Sequence, residues 1–220
     1  MTTTGALRDG AWRRRRLDDA VLYLCCGADA GRGDLAGFLD VVLGAGVDIV
    51  QLRDKTADTE RLLAAGAVFR AAAERHGALF VVNDDPDLAV RLDADGVHVG
   101  QEDPAPAMAR TVVGPERLIG RSTHSVTEID RALDEDCDYL GVGPVHPTPT
   151  KPGRPGIGLE PLRHAAAVVD RPWFVTGGMS PATAPEVLAT GARRLVAVRA
   201  ITEADDPAAV VADLVALLRG

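Results

Sequence analysis

The chain has 220 residues, 46% hydrophobic and 25% charged, with a net charge of −8; α/β barrels commonly use about 200–250 residues as one unit, so a single barrel fits. The acidic balance excludes a general nucleic-acid binder, and any anionic ligand has to be held by a few local cations against the overall field. Three cysteines, two of them adjacent at Cys25 and Cys26, form no disulfide framework and point to a reduced cytoplasm, and no segment is long enough to cross a membrane.

Residues 1–17 carry four consecutive arginines at 13–16, and the apolar run after them, VLYLCC, has only six residues. Asp18 and Asp19 interrupt the approach, which is not the form of a signal peptide. The expectation is a mobile extension over 1–17 and one barrel domain over 18–220. Strand-like runs then recur at 21–26, 48–53, 79–83, 96–100, 117–122, 139–143, 173–177 and 194–198, eight in all.

Helical spacing fills the intervals. Asp34 precedes Leu35, Phe38, Leu39 and Val42 on one face, and residues 58–76 repeat the pattern up to Gly77. Asp85-Pro86, Asp103-Pro104, Ser180-Pro181 and Asp206-Pro207 have the form of a capping residue followed by a first-turn proline. Ser125 with Glu128 forms a capping box. Eight apolar strands alternating with helices predict a parallel sheet closed on itself, a (β/α)₈ TIM barrel, in preference to an open doubly wound sheet. No GxGxxG follows the first strand.

In such a barrel the chemistry belongs at the C-terminal strand ends. After the second strand Gln51, Arg53 and Lys55 alternate, so all three share one side and suit a diphosphate and a hydrogen-bonding ring; a surface charge cluster with Asp54 would have the same pattern. Asn83 and Asp84 follow the third strand, and Asp103 the fourth. Asp84 and Asp103 would meet across the rim, and two carboxylates are a usual protein share of a magnesium site completed by substrate phosphate. Asp103 would equally serve as a cap before Pro104. Ser122 and His124 lie after the fifth strand, His124 expected to be structural, and His98 inside the fourth is expected to pack in the core. Gly177 and Gly178 ahead of a helix, with Val198 and Arg199 after the eighth strand, form a phosphate site.

The loop after the sixth strand carries five prolines, three glycines, Thr148, Thr150 and Lys151. It is too long and stiff for a connector, which usually takes about 2–6 residues, and has the inventory of a lid over a phosphorylated ligand. Lys55 and Lys151 are the two lysines among 24 basic residues, and Asn83 is the one asparagine, which singles them out as positions where no other side chain serves. Two anion sites imply two phosphorylated small-molecule substrates, with neither nucleic acid nor membrane as partner. Nothing in the sequence specifies an oligomeric state.

The ordered motifs QLRDK, VNDD, GVHVGQED, GRSTH, GVGPVHPTPTK and TGGM span the chain from about residue 20. Together they resemble the thiamine-phosphate synthase family, also called thiamine-phosphate pyrophosphorylase. The resemblance implies condensation of hydroxymethylpyrimidine diphosphate with thiazole monophosphate to give thiamine phosphate and diphosphate. It implies that Gln51, Arg53, Lys55, Asn83, Ser122 and Lys151 hold the pyrimidine diphosphate, with Arg53, Lys55 and Lys151 stabilising the leaving group. It assigns Mg2+ to Asp84 and Asp103, and the thiazole phosphate to Thr148, Thr150, Gly178, Val198 and Arg199. Two positions depart from the family pattern: Arg199 stands where serine is common, and the seventh strand ends in TGG rather than GIGG. A related thiazole tautomerase, with His124 as its acid–base group, and a non-catalytic thiamine-phosphate-binding barrel are the alternatives.

Overall fold

The computed structural model describes residues 8–31, 33–148 and 155–220. Eight strands, β1 (Leu22–Cys26), β2 (Ile49–Leu52), β3 (Leu79–Asn83), β4 (Gly96–Val99), β5 (Leu118–Thr123), β6 (Tyr139–Val142), β7 (Trp173–Val175) and β8 (Leu195–Ala197), pair in parallel and in order into a closed barrel. The closure is β8 on β1, with Leu22 opposite Leu195 and Leu24 opposite Ala197. The expected (β/α)₈ TIM barrel is the observed fold, and each strand falls within two residues of its predicted bounds.

Around the strands lie helices α1 (Gly10–Asp19), α2 (Leu35–Ala45), α3 (Thr59–His76), α4 (Pro86–Arg91), α5 (Pro106–Val113), α6 (Val126–Leu133), α7 (Glu160–Val168), α8 (Ala184–Leu188), α9 (Arg199–Thr202) and α10 (Pro207–Arg219). Both strand faces are covered, which is why the strands are nearly unbroken apolar runs. Their outward residues, among them Leu24, Val50, Phe80, Val97, Ile119 and Leu140, pack with the helices into one annular core. Their inward residues, Tyr23, Ile49, Leu79, Val81, Leu118, Tyr139 and Phe174, form a second cluster along the barrel axis. Phe174 meets Tyr23 and Tyr139 edge-on, with ring centroids 5.5 and 5.7 Å apart, the geometry the ring quadrupoles favour.

Beyond α1, the capping residues behave as their chemistry dictates in five places. The side chains of Asp34, Asp58, Asp85, Ser125 and Asp206 accept from backbone N–H groups of the first turns of α2, α3, α4, α6 and α10. Two expected caps are corrected. α5 begins at Pro106 behind Ala105, so Asp103 caps nothing, and its Oδ2 instead accepts from the Gly100 N–H at 2.7 Å. Ser180-Pro181 opens a turn, and α8 starts only at Ala184 behind Thr183.

The extension expected to be mobile over 1–17 is, from Gly10 onward, a helix capped by the Asp9 side chain. α1 lies across the N-terminal ends of the strands, placing Leu17 and Ala20 in the axial cluster with Trp12 packed against it. Part of its charge, and that of Arg8 ahead of it, is paired there. Asp95, fully buried ahead of β4, receives Arg8 at 2.7 Å, Arg13 at 3.1 Å and Arg70 at 3.3 Å, and also accepts from the Phe80 N–H at 3.0 Å. Arg14 reaches Asp138 at 3.2 Å, and the Arg8 guanidinium sits 4.3 Å above the Trp12 ring.

Candidate active site

At the other end of the barrel the C-terminal strand ends enclose a cavity of about 720 Å³, within the usual range for small-molecule sites. It gathers Gln51, Arg53, Lys55, Asn83, Asp84, Asp103, Ser122, Thr148, Gly178, Val198 and Arg199. Those are the sequence-predicted positions except Thr150 and Lys151, which lie outside the described residues.

The alternation of β2 explains the first group. Ile49, Gln51 and Arg53 follow one another on the inward side, Ile49 in the axial cluster and the other two at the cavity. The competing reading, a charge cluster around Asp54, fails. Asp54 folds back to accept from the N–H groups of Ala28, Thr56 and Ala57 and from the Thr56 hydroxyl. Burial pushes the Asp54 carboxyl up, but those hydrogen bonds outweigh it and hold the group below its ordinary range. Lys55 is thereby left to Asp84, with Nζ 3.2 Å from Oδ2.

Asp84 stands at φ 65°, in the left-handed region that aspartate tolerates better than most residues. The Asp84 N–H donates to the His98 carbonyl at 2.8 Å, which fixes the turn that aims the carboxylate at the rim. Burial raises the affinity of Asp84 for a proton, the neighbouring Asp103 carboxyl raises it further, and Lys55 offsets only part of this. Two carboxylates thus face each other with too little positive charge between them. A divalent oxygen-seeking cation fits that deficit, and among the described residues no set of three His, Cys, Asp or Glu side chains offers a fuller metal cage.

On the opposite wall the loop after β6 is stitched to the turn after β7. The N–H groups of Val145 and His146 donate to the carbonyls of Thr176 and Gly177 at 2.9 and 3.3 Å, and those of Ile157 and Gly158 return to the carbonyls of Pro144 and Val145 at 2.8 and 3.2 Å. Gly177 has φ +101°, and a Cβ there would lie 2.5 Å from the Pro144 Cα, so the departure to TGG keeps the glycine that close approach requires. His124 braces the same root: its Nδ1 donates to the Gly143 carbonyl and its backbone N–H to Glu128 Oε2. Glu128 therefore closes the capping box one residue earlier than expected, on His124 rather than Ser125.

The Arg199 side chain turns along α9 to Glu203, Nε to Oε1 2.7 Å. That hydrogen bond raises the Arg199 pKa and lowers that of Glu203. The segment Val198–Arg199 thus offers the cavity backbone groups, with its guanidinium committed elsewhere.

Three readings of the sequence need correction or addition. His98 is not packed in the core but borders the cavity, with Nε2 2.9 Å from Ser122 Oγ and Nδ1 3.2 Å from the Tyr139 hydroxyl. Ser122, assigned by resemblance to the pyrimidine diphosphate, also holds His98. Tyr23, Cys25, Tyr139 and Phe174 form the floor and were absent from the candidate set. Period-two alternation could have found His98: it lies between outward Val97 and Val99, and its register partner on β3 is Asn83.

A family model described as thiamine monophosphate synthase matches residues 22–201. A thiamine-phosphate synthase of Thermobifida fusca is 53% identical over 204 residues, covering 91% of this chain and 93% of that one. One of Streptomyces avermitilis is 52% identical over 209 residues, covering 94% and 97%. Among solved structures, a thiamine phosphate pyrophosphorylase from Pyrococcus furiosus superposes with a TM-score of 0.82 at 31% identity, over 94% of this chain and 97% of that one.

Proposed function

The chain belongs to the thiamine monophosphate synthase family, a family of transferases in thiamine biosynthesis, and on that premise we propose that its barrel mouth joins an aminopyrimidine methyl diphosphate to a thiazole bearing a phosphooxyethyl arm. The products are thiamine phosphate and diphosphate. The observation that carries this reading is the division of the cavity: cations, amides and paired carboxylates on the β2–β4 side, glycine turns and backbone groups on the β6–β8 side.

Arg53, Lys55 and Lys151 bind the diphosphate, while Gln51, Asn83 and Ser122 orient the pyrimidine ring. Thr148, Thr150, Gly178 and the backbone at Val198 and Arg199 hold the thiazole phosphate. Asp84 and Asp103 are the residues that would hold Mg2+, which when bound supplies positive charge to the departing diphosphate. The C–O bond breaks first, and the electron-rich aminopyrimidine carries the resulting methylene cation. The cations stabilise the leaving group more as its charge develops than in the bound substrate, which is what accelerates the step. The thiazole nitrogen then forms the C–N bond from a near-attack distance of roughly 3–3.5 Å, so no protein nucleophile takes part. Pro144, Pro147 and Thr148, at the root of the loop after β6, line the cavity and shield the cation from water on that side. We place the protein in the cytoplasm, where its three buried thiols stay reduced.

The test is incubation of the purified protein with both substrates and Mg2+. Thiamine phosphate and diphosphate in equal amounts are expected. Absence of product beside an active control overturns the reading, isomerisation of the thiazole phosphate alone marks a tautomerase, and binding without turnover marks a non-catalytic barrel.

A further inference from the structure

Four polar side chains run in single file from the barrel axis to the cavity. The Tyr23 and Tyr139 hydroxyls lie 3.1 Å apart, the Tyr139 hydroxyl lies 3.2 Å from His98 Nδ1, and His98 Nε2 lies 2.9 Å from Ser122 Oγ. The file crosses the barrel, with members on β1, β6, β4 and β5. Space is cleared for it. A Cβ on Gly120 would press on the Tyr139 ring and His98 Nδ1 and sit 2.5 Å from the Tyr139 hydroxyl, and one on Gly141 would sit 3.1 Å from the His98 ring. Both glycines occupy inward strand positions where a side chain would otherwise fill the barrel.

Each hydroxyl has one hydrogen, and that decides the direction of the file. The Tyr139 oxygen touches two partners, so it donates to one and accepts from the other. Suppose His98 Nδ1 carried a proton and donated to Tyr139. Tyr139 would then have to donate to Tyr23, and the Tyr23 hydrogen, in a side chain only 2% exposed, would find no acceptor among the described residues. A buried donor left unmatched is costly. In the opposite direction Tyr23 donates to Tyr139, Tyr139 to His98 Nδ1, and His98 Nε2–H to Ser122 Oγ. Every buried hydrogen is then matched, and the Ser122 hydrogen is released toward the cavity. Aligned donors also polarise one another, so the last one is the strongest.

We propose that Tyr139, backed by Tyr23, fixes His98 as the Nε2–H tautomer and thereby makes Ser122 a hydrogen-bond donor to the first substrate. Tyr139 and His98 are positioning residues: they act on substrate through Ser122. The proposal rests on the reading that the β2–β5 side of the mouth takes the pyrimidine diphosphate, whose ring nitrogens and phosphoryl oxygens are acceptors.

The test is ¹⁵N NMR of the full chain labelled at histidine, free and with the pyrimidine diphosphate, with the His98 signals assigned by loss in His98→Gln. The expected wild-type pattern is a protonated Nε2 coupled to an unprotonated Nδ1. In Tyr139→Phe that preference is expected to collapse toward a tautomer mixture, and the KM for pyrimidine diphosphate to rise about tenfold, the loss of one well-placed hydrogen bond, with kcat much less affected. A wild-type His98 protonated at Nδ1 overturns the relay, as does a folded Tyr139→Phe protein with unchanged His98 shifts and KM. Should Tyr139→Phe not fold, the wild-type tautomer decides. The tautomer is read on the free protein, so the two ideas separate. Nε2–H in a protein that binds no pyrimidine diphosphate refutes the substrate, and Nδ1–H in an active one refutes the relay.

Discussion

The two ends of the barrel treat charge in opposite ways. At the closed end, buried Asp95 is surrounded by Arg8, Arg13 and Arg70 and a backbone N–H, and α1 covers the assembly. At the open end, Asp84 and Asp103 confront each other with Lys55 as partial compensation. One end uses charge to complete the fold, and the other leaves it only partly compensated, which is what the proposed binding of a cation from solution requires. The lesson is that the sign of a cluster says less than whether its partners belong to the chain.

The largest expected effect breaks the open end. Asp84→Asn removes one charge, keeps the shape and tolerates the left-handed backbone, so Mg2+-dependent kcat should fall roughly a thousandfold. The melting temperature should hold or rise, because a repulsion has gone. Steady-state kinetics beside calorimetry checks both, and unchanged kinetics would remove Asp84 from the metal site.

The matching change at the closed end should reverse the pattern. Asp95→Ala strands three arginines around a buried gap and should cost about 3–5 kcal/mol in urea unfolding. The kcat of the folded fraction should remain, since Asp95 lies at the far end of the barrel.

A smaller effect comes from pH. The Asp84 carboxyl sits above the ordinary range through burial first and Asp103 second. The folded state therefore takes up its proton more readily than the unfolded chain. Without metal, stability rises as pH falls from the folded to the unfolded pKa. Metal affinity runs the other way: it is present above the folded pKa and lost as pH falls through it, by about tenfold per unit. Isothermal titration with Mg2+ across mildly acidic buffers reads this directly.

The smallest effect is at Arg199. Its guanidinium is spent on Glu203 at the surface, so Arg199→Ala should leave turnover and melting temperature unmoved, as assay and calorimetry together can establish. A large rise in thiazole phosphate KM would mean the side chain swings into the site.

The strands were legible because a parallel barrel buries both faces of each one, and runs such as LFVVN and YLGV then stand out between helix caps. The rim residues were legible for a related reason: a strand end in a barrel has one place to go. Residues 8–19 were not. A run of arginines has the pattern of a loose basic tail until their partner is known, and Asp95 lies 82 residues from Arg13. His98 was misplaced because a histidine flanked by valines has the pattern of core, and only the inward face it shares with Asn83 and Ser122 marks it as part of the mouth. Asp103 was credited with a cap it does not make, since Asp-Pro fits a helix start whether or not the helix begins there.

The helix beneath the barrel has a practical side. The last residues of α10 are held to the same face, where Arg219 reaches Asp48 just ahead of β2 at 3.0 Å. Both described ends of the chain therefore leave from the side away from the mouth. A fusion partner or a solid support attached through Gly220 hangs below the molecule, and the mouth of the barrel stays turned toward the bulk.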